Sequence, residues 1–200
     1  GHAHPRLVRA LVEQAQQLAI TSRAFHNRLL PRFLRRLCEV TGLDRALPCN
    51  GGGEAVETAV KLARQIQLAR GGADRQVLIS RWKSYHGLTL GALAAAGRTS
   101  FRVPFYPMIR DAVHIPPPYC LRCSYGLTYP GCRLRCALAL DETIHNIGPS
   151  VVSAFIAETV GGASIAVCPP PPGYWPLVRE ICDRHQVLLI LDEVMCGMGR

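Results

Sequence analysis

Residues 188–200 read LLILDEVMCGMGR. A short apolar run enters two adjacent carboxylates, Asp192 and Glu193. Five apolar residues, from Val187 to Leu191, are long enough for a buried strand and far too few to span a membrane. An ionised carboxylate at the mouth of such a strand must find a cation or hydrogen-bond donors, because burying it unpaired is costly.

Three other segments share this character. QVLIS (Gln76 to Ser80), DAVHI (Asp111 to Ile115) and VSAFIAE (Val152 to Glu158) are each strand-sized and bounded by polar residues. Helical patterns separate the last of them, notably Cys136 to Ile147 and Leu177 to His185. Strands alternating with helices predict an α/β fold with a mostly parallel sheet and helices on both faces. Upstream, Leu7 to Ala19 sets Leu7, Leu11, Ala15 and Leu18 on one helical face, and Leu30 to Val40 repeats the pattern with Leu30, Phe33, Leu34 and Leu37. The expected division is a helical N-terminal segment over 1–45 and a sheet-bearing domain over 46–200.

Composition narrows the function classes. The chain has 200 residues and 48% hydrophobic content, enough for a sizeable core. Its net charge of +9 comes almost wholly from arginine, since Lys61 and Lys83 are the lysines. Arg6, Arg9, Arg23, Arg28, Arg32, Arg35 and Arg36 are spread at helical spacing, without the interleaved aromatics that single-strand binders use, so no nucleic-acid partner is expected. Neither a membrane partner nor a targeting segment is expected; the opening GHAHPR and the stop at Arg200 read as cut ends. Nine cysteines, an odd number, argue against a complete disulfide framework and for a reducing, cytoplasmic setting. Cys38 and Cys182 read as small core residues.

Three stretches carry chemistry. In CNGGGEAVETAVKLAR, glycines 51–53 separate a short strand-like stretch from a helix over Glu54 to Arg70. Glycine lets a backbone approach a ligand closely, and the free N–H groups of a helix start attract anions. The spacing is neither a Walker loop nor a dinucleotide fingerprint. In SYHGLTLGAL, Tyr85 and His86 follow the first strand, where ligands of parallel sheets bind and where an aromatic ring can stack on a flat cofactor. Glu158 and Asp192 close two further strands. A carboxylate there can face the protonated nitrogen of a pyridine ring, which makes that ring an electron sink.

With these blocks the chain resembles the class III pyridoxal-phosphate-dependent aminotransferases, the group of ornithine and ω-amino acid aminotransferases. GHAHPRLVRAL, TSRAFHN, NGGGEAVETAVKLAR, YHGLTLGAL and PPPPGYWPLVREICDRHQVLLILDEVMCGMGR carry the likeness over nearly the whole length. It implies the large domain of a fold-type-I enzyme, incomplete at its C-terminal side, and pyridoxal 5'-phosphate as cofactor. Gly52 and Gly53 are then expected to hold the cofactor phosphate, Tyr85, with His86 beside it, and Val194 to line the ring, and Asp192 to pair with its nitrogen. Glu158 is expected to position Asp192 or the substrate side, and Phe25 and His26 to line the substrate pocket. Gly51 or Gly53 replaces a usual hydroxyl residue, Thr159 a usual proline, Met195 a frequent glutamine and Leu88 a frequent arginine. The resemblance implies an amino donor, either an amine or an ω-amino acid, a 2-keto acid acceptor and a homodimer; an aminomutase, racemase, decarboxylase or non-catalytic remnant is the alternative. The Schiff-base lysine is expected past Arg200, not at Lys61 or Lys83, so the 200-residue chain is expected to be inactive.

Cys120, Cys123, Cys132 and Cys136 form C-x2-C-x8-C-x3-C, a spacing that four thiolates can use for zinc. The short middle gap and lack of histidine favour ordinary loop thiols, and no metal ligand is assigned.

Overall fold

The computed structural model describes residues 2–22 and 24–198. The chain divides into two compact units, Gly1–Pro48 and Cys49–Arg200.

The first unit holds α1 (Pro5–Gln17) and α2 (Leu30–Thr41). Proline opens the first turn of each helix, where a missing N–H costs nothing, and the His4 ring accepts from the Arg6 N–H at the start of α1. Gly42, at φ +69°, ends α2. No described residue of this unit is buried. Cys38, expected in a core, is half-buried: a two-helix segment encloses too little volume to form one.

The second unit is built on a sheet of β1 (Val77–Arg81), β2 (Val113–Ile115), β3 (Val152–Glu158) and β4 (Leu188–Asp192). All neighbours are parallel, in the order β2-β1-β3-β4. After β2 the chain crosses to the far side of β1, so the direction of winding reverses between β1 and β3. Ligands of open α/β sheets bind at the carboxyl ends beside such a reversal. Register carries Glu158 directly opposite Asp192.

Every residue of β3 is buried because both faces of the sheet are covered. Phe155 and Ala157 enter a core with Leu140 and Ile144 of α6 (Arg135–Ile147) and Val178, Ile181 and Cys182 of α7 (Tyr174–Arg184). Ile156 points the other way, to Val56 of α3 (Gly52–Ala69) and to Ala92 and Ala95 of α4 (Leu90–Ala95). This alternation is the period-two geometry of a strand.

Two sequence expectations need correction. The stretch before the glycines forms no strand; residues 45–50 are irregular, and Pro48 withholds one ladder donor. Helix α7 begins at Tyr174, not Leu177, because Gly173 adopts φ +81° and Pro176 sits in the first turn, where proline is tolerated. Between β1 and α6 the chain also forms α5 (Thr99–Arg102) and 3-10 turns at Val103–Met108 and Cys120–Arg122.

Candidate active site

The carboxyl ends of β3 and β4, the loop after β1 and the start of α3 enclose a cavity of about 240 Å³. Gly52, Gly53, Tyr85, His86, Glu158, Asp192 and Val194 all line it, so residues drawn from four distant stretches meet in one place. Gly87, Val160, Ala163 and Met195 complete the wall. Phe25 and His26 lie in the N-terminal unit, where both are exposed.

Helix α3 has no side-chain cap, since its N-cap is Gly51. The first N–H groups of a helix have no partner within it, and those of Gly52 and Gly53 sit on the cavity wall. Glu54 reaches back to accept the Asn50 N–H at 2.9 Å. A Cβ on Gly52 would stand 3.2 Å from both Val194 methyls. Gly87 adopts φ +119°, and a Cβ there would lie 3.0 Å from the Gly53 Cα. The two backbones therefore approach as closely as glycine permits.

Asp192 is the best-held polar group of the site. Its Oδ2 lies 2.7 Å from His86 Nδ1, and its Oδ1 accepts the Val194 N–H at 3.0 Å. Burial alone would raise its pKa. The His86 hydrogen bond, the Val194 N–H and the charges of His86 and Arg81 outweigh that, and the carboxyl is held below its ordinary value. Glu158 goes the other way: burial pushes its pKa up, with Asp192 adding to the effect, despite His86, Arg81 and the Gly162 N–H. Two adjacent carboxyls are thus pushed apart in acidity by their surroundings.

Sequence reading missed several supports. Arg81, buried at the end of β1, donates to the Glu158 carbonyl, and its charge acts to lower the pKa of both carboxyls. Glu57 Oε1 accepts from Thr89 Oγ1 at 2.7 Å and from the Gly91 N–H at 2.8 Å, tying α3 to the start of α4. The Tyr85 ring is braced edge-on by Phe101, with centroids 6.2 Å apart. Only the glutamate's place on the inner side of α3 could have hinted at the tie.

Neither lysine lines the cavity. Lys61 is exposed on α3, and Lys83 Nζ lies 5.5 Å from the Tyr119 ring centre. Leu88 is exposed. Among the described residues, no three thiols of the cysteine-rich loop converge to within 4.8 Å. Cys120, Cys123 and Cys132 are still close enough that, after burial, the neighbouring thiols raise the Cys120 pKa.

The whole chain, residues 1–200, matches the family model for aminotransferase class-III. The chain belongs to that family. Ornithine aminotransferase 1 of Staphylococcus aureus is 31% identical over 202 residues, covering 100% of this chain and 46% of the relative. Taurine–pyruvate aminotransferase of Bilophila wadsworthia is 32% identical over 203 residues, covering 100% and 44%. An amine transaminase from an uncultivated Pseudomonas species, solved in its PLP-bound form, superposes with a TM-score of 0.91 at 32% identity, over 100% of this chain and 46% of that one. The chain thus spans less than half the length of these relatives. The fold is that of the fold-type-I transaminases, and pyridoxal phosphate is the cofactor.

The residues present fit that cofactor. A buried ring nitrogen, His86 Nε2, has no partner among the described residues. The glycine helix start offers anion donors, and Asp192, its pKa held below the ordinary value, lines the same cavity.

Proposed function

We propose that this chain forms the cofactor-binding large domain of a transaminase that moves an amino group from an amine or ω-amino acid to a 2-keto acid such as pyruvate or 2-oxoglutarate. The carrying observation is the 2.7 Å Asp192–His86 hydrogen bond on the wall of a small cavity that a glycine-built helix start also lines.

When bound, pyridoxal phosphate supplies an electron sink for the charge left on a substrate carbon after its proton is removed. The chain's own residues divide the remaining work. Gly52 and Gly53 would hold the phosphate through backbone N–H groups. Tyr85 and Val194 would hold the ring. Asp192 would keep a proton on the ring nitrogen, with His86 fixing the orientation of its carboxylate. Glu158, beside Asp192, keeps the substrate side of the wall polar and positions its neighbour. Phe25 and His26 are assigned to substrate contact. By resemblance the complete protein is a cytoplasmic homodimer. Covalent capture of the cofactor needs a lysine, which we assign to sequence outside these 200 residues; the 200-residue chain alone is expected not to turn over.

The test is titration of the purified chain with pyridoxal phosphate, followed by borohydride reduction and peptide mapping. Saturable binding is expected, with inorganic phosphate competing, with affinity weakened about tenfold or more in Asp192→Asn, and with no reduced adduct on Lys61 or Lys83. An adduct on either lysine that supports transamination overturns the lysine assignment. Absence of cofactor binding in both the chain and the full-length protein overturns the whole reading. Cofactor binding by a full-length protein that turns over no amine donor leaves a non-catalytic cofactor-binding protein in its place.

A further inference from the structure

At the opposite end of the sheet from the cofactor cavity, α6 and the turn between α7 and β4 bring together two histidines and a carboxylate. Asp141 and His145 are one helical turn apart on α6, and His185 caps the C-terminus of α7. His185 Nε2 lies 2.7 Å from Asp141 Oδ1, and His145 Nδ1 lies 3.8 Å from Asp141 Oδ2. The imidazole rings meet edge to face with centroids 4.8 Å apart. One ligand atom from each residue falls within 4.8 Å of the others, and among the described residues this is the one group of three that converges so far.

We propose that Asp141, His145 and His185 bind one transition-metal dication of the zinc and nickel type, which staples α6 to the turn leading into β4. Imidazole nitrogen with carboxylate oxygen is the ligand set that borderline dications prefer. Bonds of about 2.0–2.1 Å in tetrahedral geometry set ligand atoms roughly 3.3–3.5 Å apart. The observed separations, from 2.7 Å to within 4.8 Å, bracket that value; His145 Nδ1 now bonds the Asp141 carbonyl at 2.9 Å, and the exposed ring turns from it to reach the ion. The His185 side chain is 8% exposed and that of His145 59%, which gives the ion one packed ligand, one mobile ligand and an open side for water.

One competing cation stands nearby: Arg184 Nη1 is 3.4 Å from Asp141 Oδ1. Its other nitrogen already bonds Glu180 Oε1 at 2.6 Å, so the guanidinium keeps a carboxylate partner when Asp141 turns to the ion. Strand β4 separates this cluster from Asp192, a span of roughly 15 Å. The ion is therefore a structural clamp and takes no part at the cofactor.

The test is calorimetric titration of Ni²⁺ into the pyridoxal-phosphate-loaded protein, compared with His145→Ala, His185→Ala and Asp141→Asn. His2, His4 and the loop thiols offer rival sites, so the decisive quantity is the difference between wild type and variants. One equivalent is expected to be lost, or weakened about tenfold or more, in each variant. Ni²⁺ is expected to raise the thermal midpoint of wild type but not of His145→Ala. The exposed His145 can be replaced without disturbing the core, so that variant decides the matter even if His185→Ala fails to fold. Binding unchanged in His145→Ala, or no binding attributable to the cluster, overturns the proposal.

Discussion

Asp192 and Glu158 stand side by side at the ends of paired strands, yet their environments pull them apart. For Asp192 the folded-state pKa is depressed, so its stabilisation is complete above the ordinary aspartate value of about 3.9 and is lost as pH falls through the depressed value. For Glu158 the folded-state pKa is raised, so its ionisation costs stability as pH rises from the ordinary glutamate value of about 4.3 through the raised one. Glu158→Gln is therefore expected to melt higher than wild type at neutral pH in the cofactor-free protein, with the gap closing on acidification. Paired thermal melts between pH 4 and pH 8 check this; a variant less stable than wild type at neutral pH would count against the burial argument. Gly87 gives a second expectation. Any side chain there must adopt φ +119° and meet the Gly53 Cα at 3.0 Å. Gly87→Ala should cost about 1–3 kcal/mol of stability in a denaturant titration and weaken cofactor binding as well. Residue types at this scale were readable in advance: the glycines, the tyrosine and both carboxylates were assigned from sequence. Their pairing was not. His86 and Asp192 are 106 positions apart, and only the sheet's crossover brings them to 2.7 Å.

Between elements, the site depends on how α3 is fixed relative to the loop after β1. The tie is Glu57, which accepts from the hydroxyl of Thr89 and the first N–H groups of α4 and so acts as a cap supplied from another helix. Because Gly87 touches Gly53, loosening α4 also loosens the glycine cradle. Glu57→Ala is expected to cost about 1–2 kcal/mol. For a chain of this size that is a fall in thermal midpoint of roughly 2–8 °C. Cofactor affinity should fall with it, while Glu57→Gln, which keeps an acceptor, should recover much of both. A Glu57→Ala protein with unchanged cofactor affinity would show that α4 and the cradle are independent. Elements were legible in proportion to their apolar pattern. The bounds of β3 match the sequence reading, since a strand buried on both faces is a continuous apolar run. The start of α7 was placed three residues late, at Leu177, because Gly173 caps the helix start and Pro176 sits in its tolerant first turn.

At the scale of the whole molecule, the two units differ in how they are held. The sheet-bearing unit has a closed core on each face of its sheet. The N-terminal unit has no buried residue among those described, and Leu7, Leu11, Phe33 and Val40 are 63%, 71%, 48% and 66% exposed. Amphipathic helices gain their stability from covering such a face, because isolated segments of this length are marginal in water. Apolar surface left open on two successive helices is what the proposed homodimer would cover. The chain is therefore expected to sediment as an oligomer at micromolar concentration, and the double substitution Leu7→Gln with Leu11→Gln should shift it toward monomer. Neither residue contributes to the core of the sheet unit, so the far-ultraviolet signal of the sheet should survive the change. Retention of that signal with a shifted sedimentation coefficient locates the association surface on α1. A wild-type chain that sediments as a monomer would instead require the exposed faces of α1 and α2 to be tolerated in water, and the association surface on these helices would fall with it.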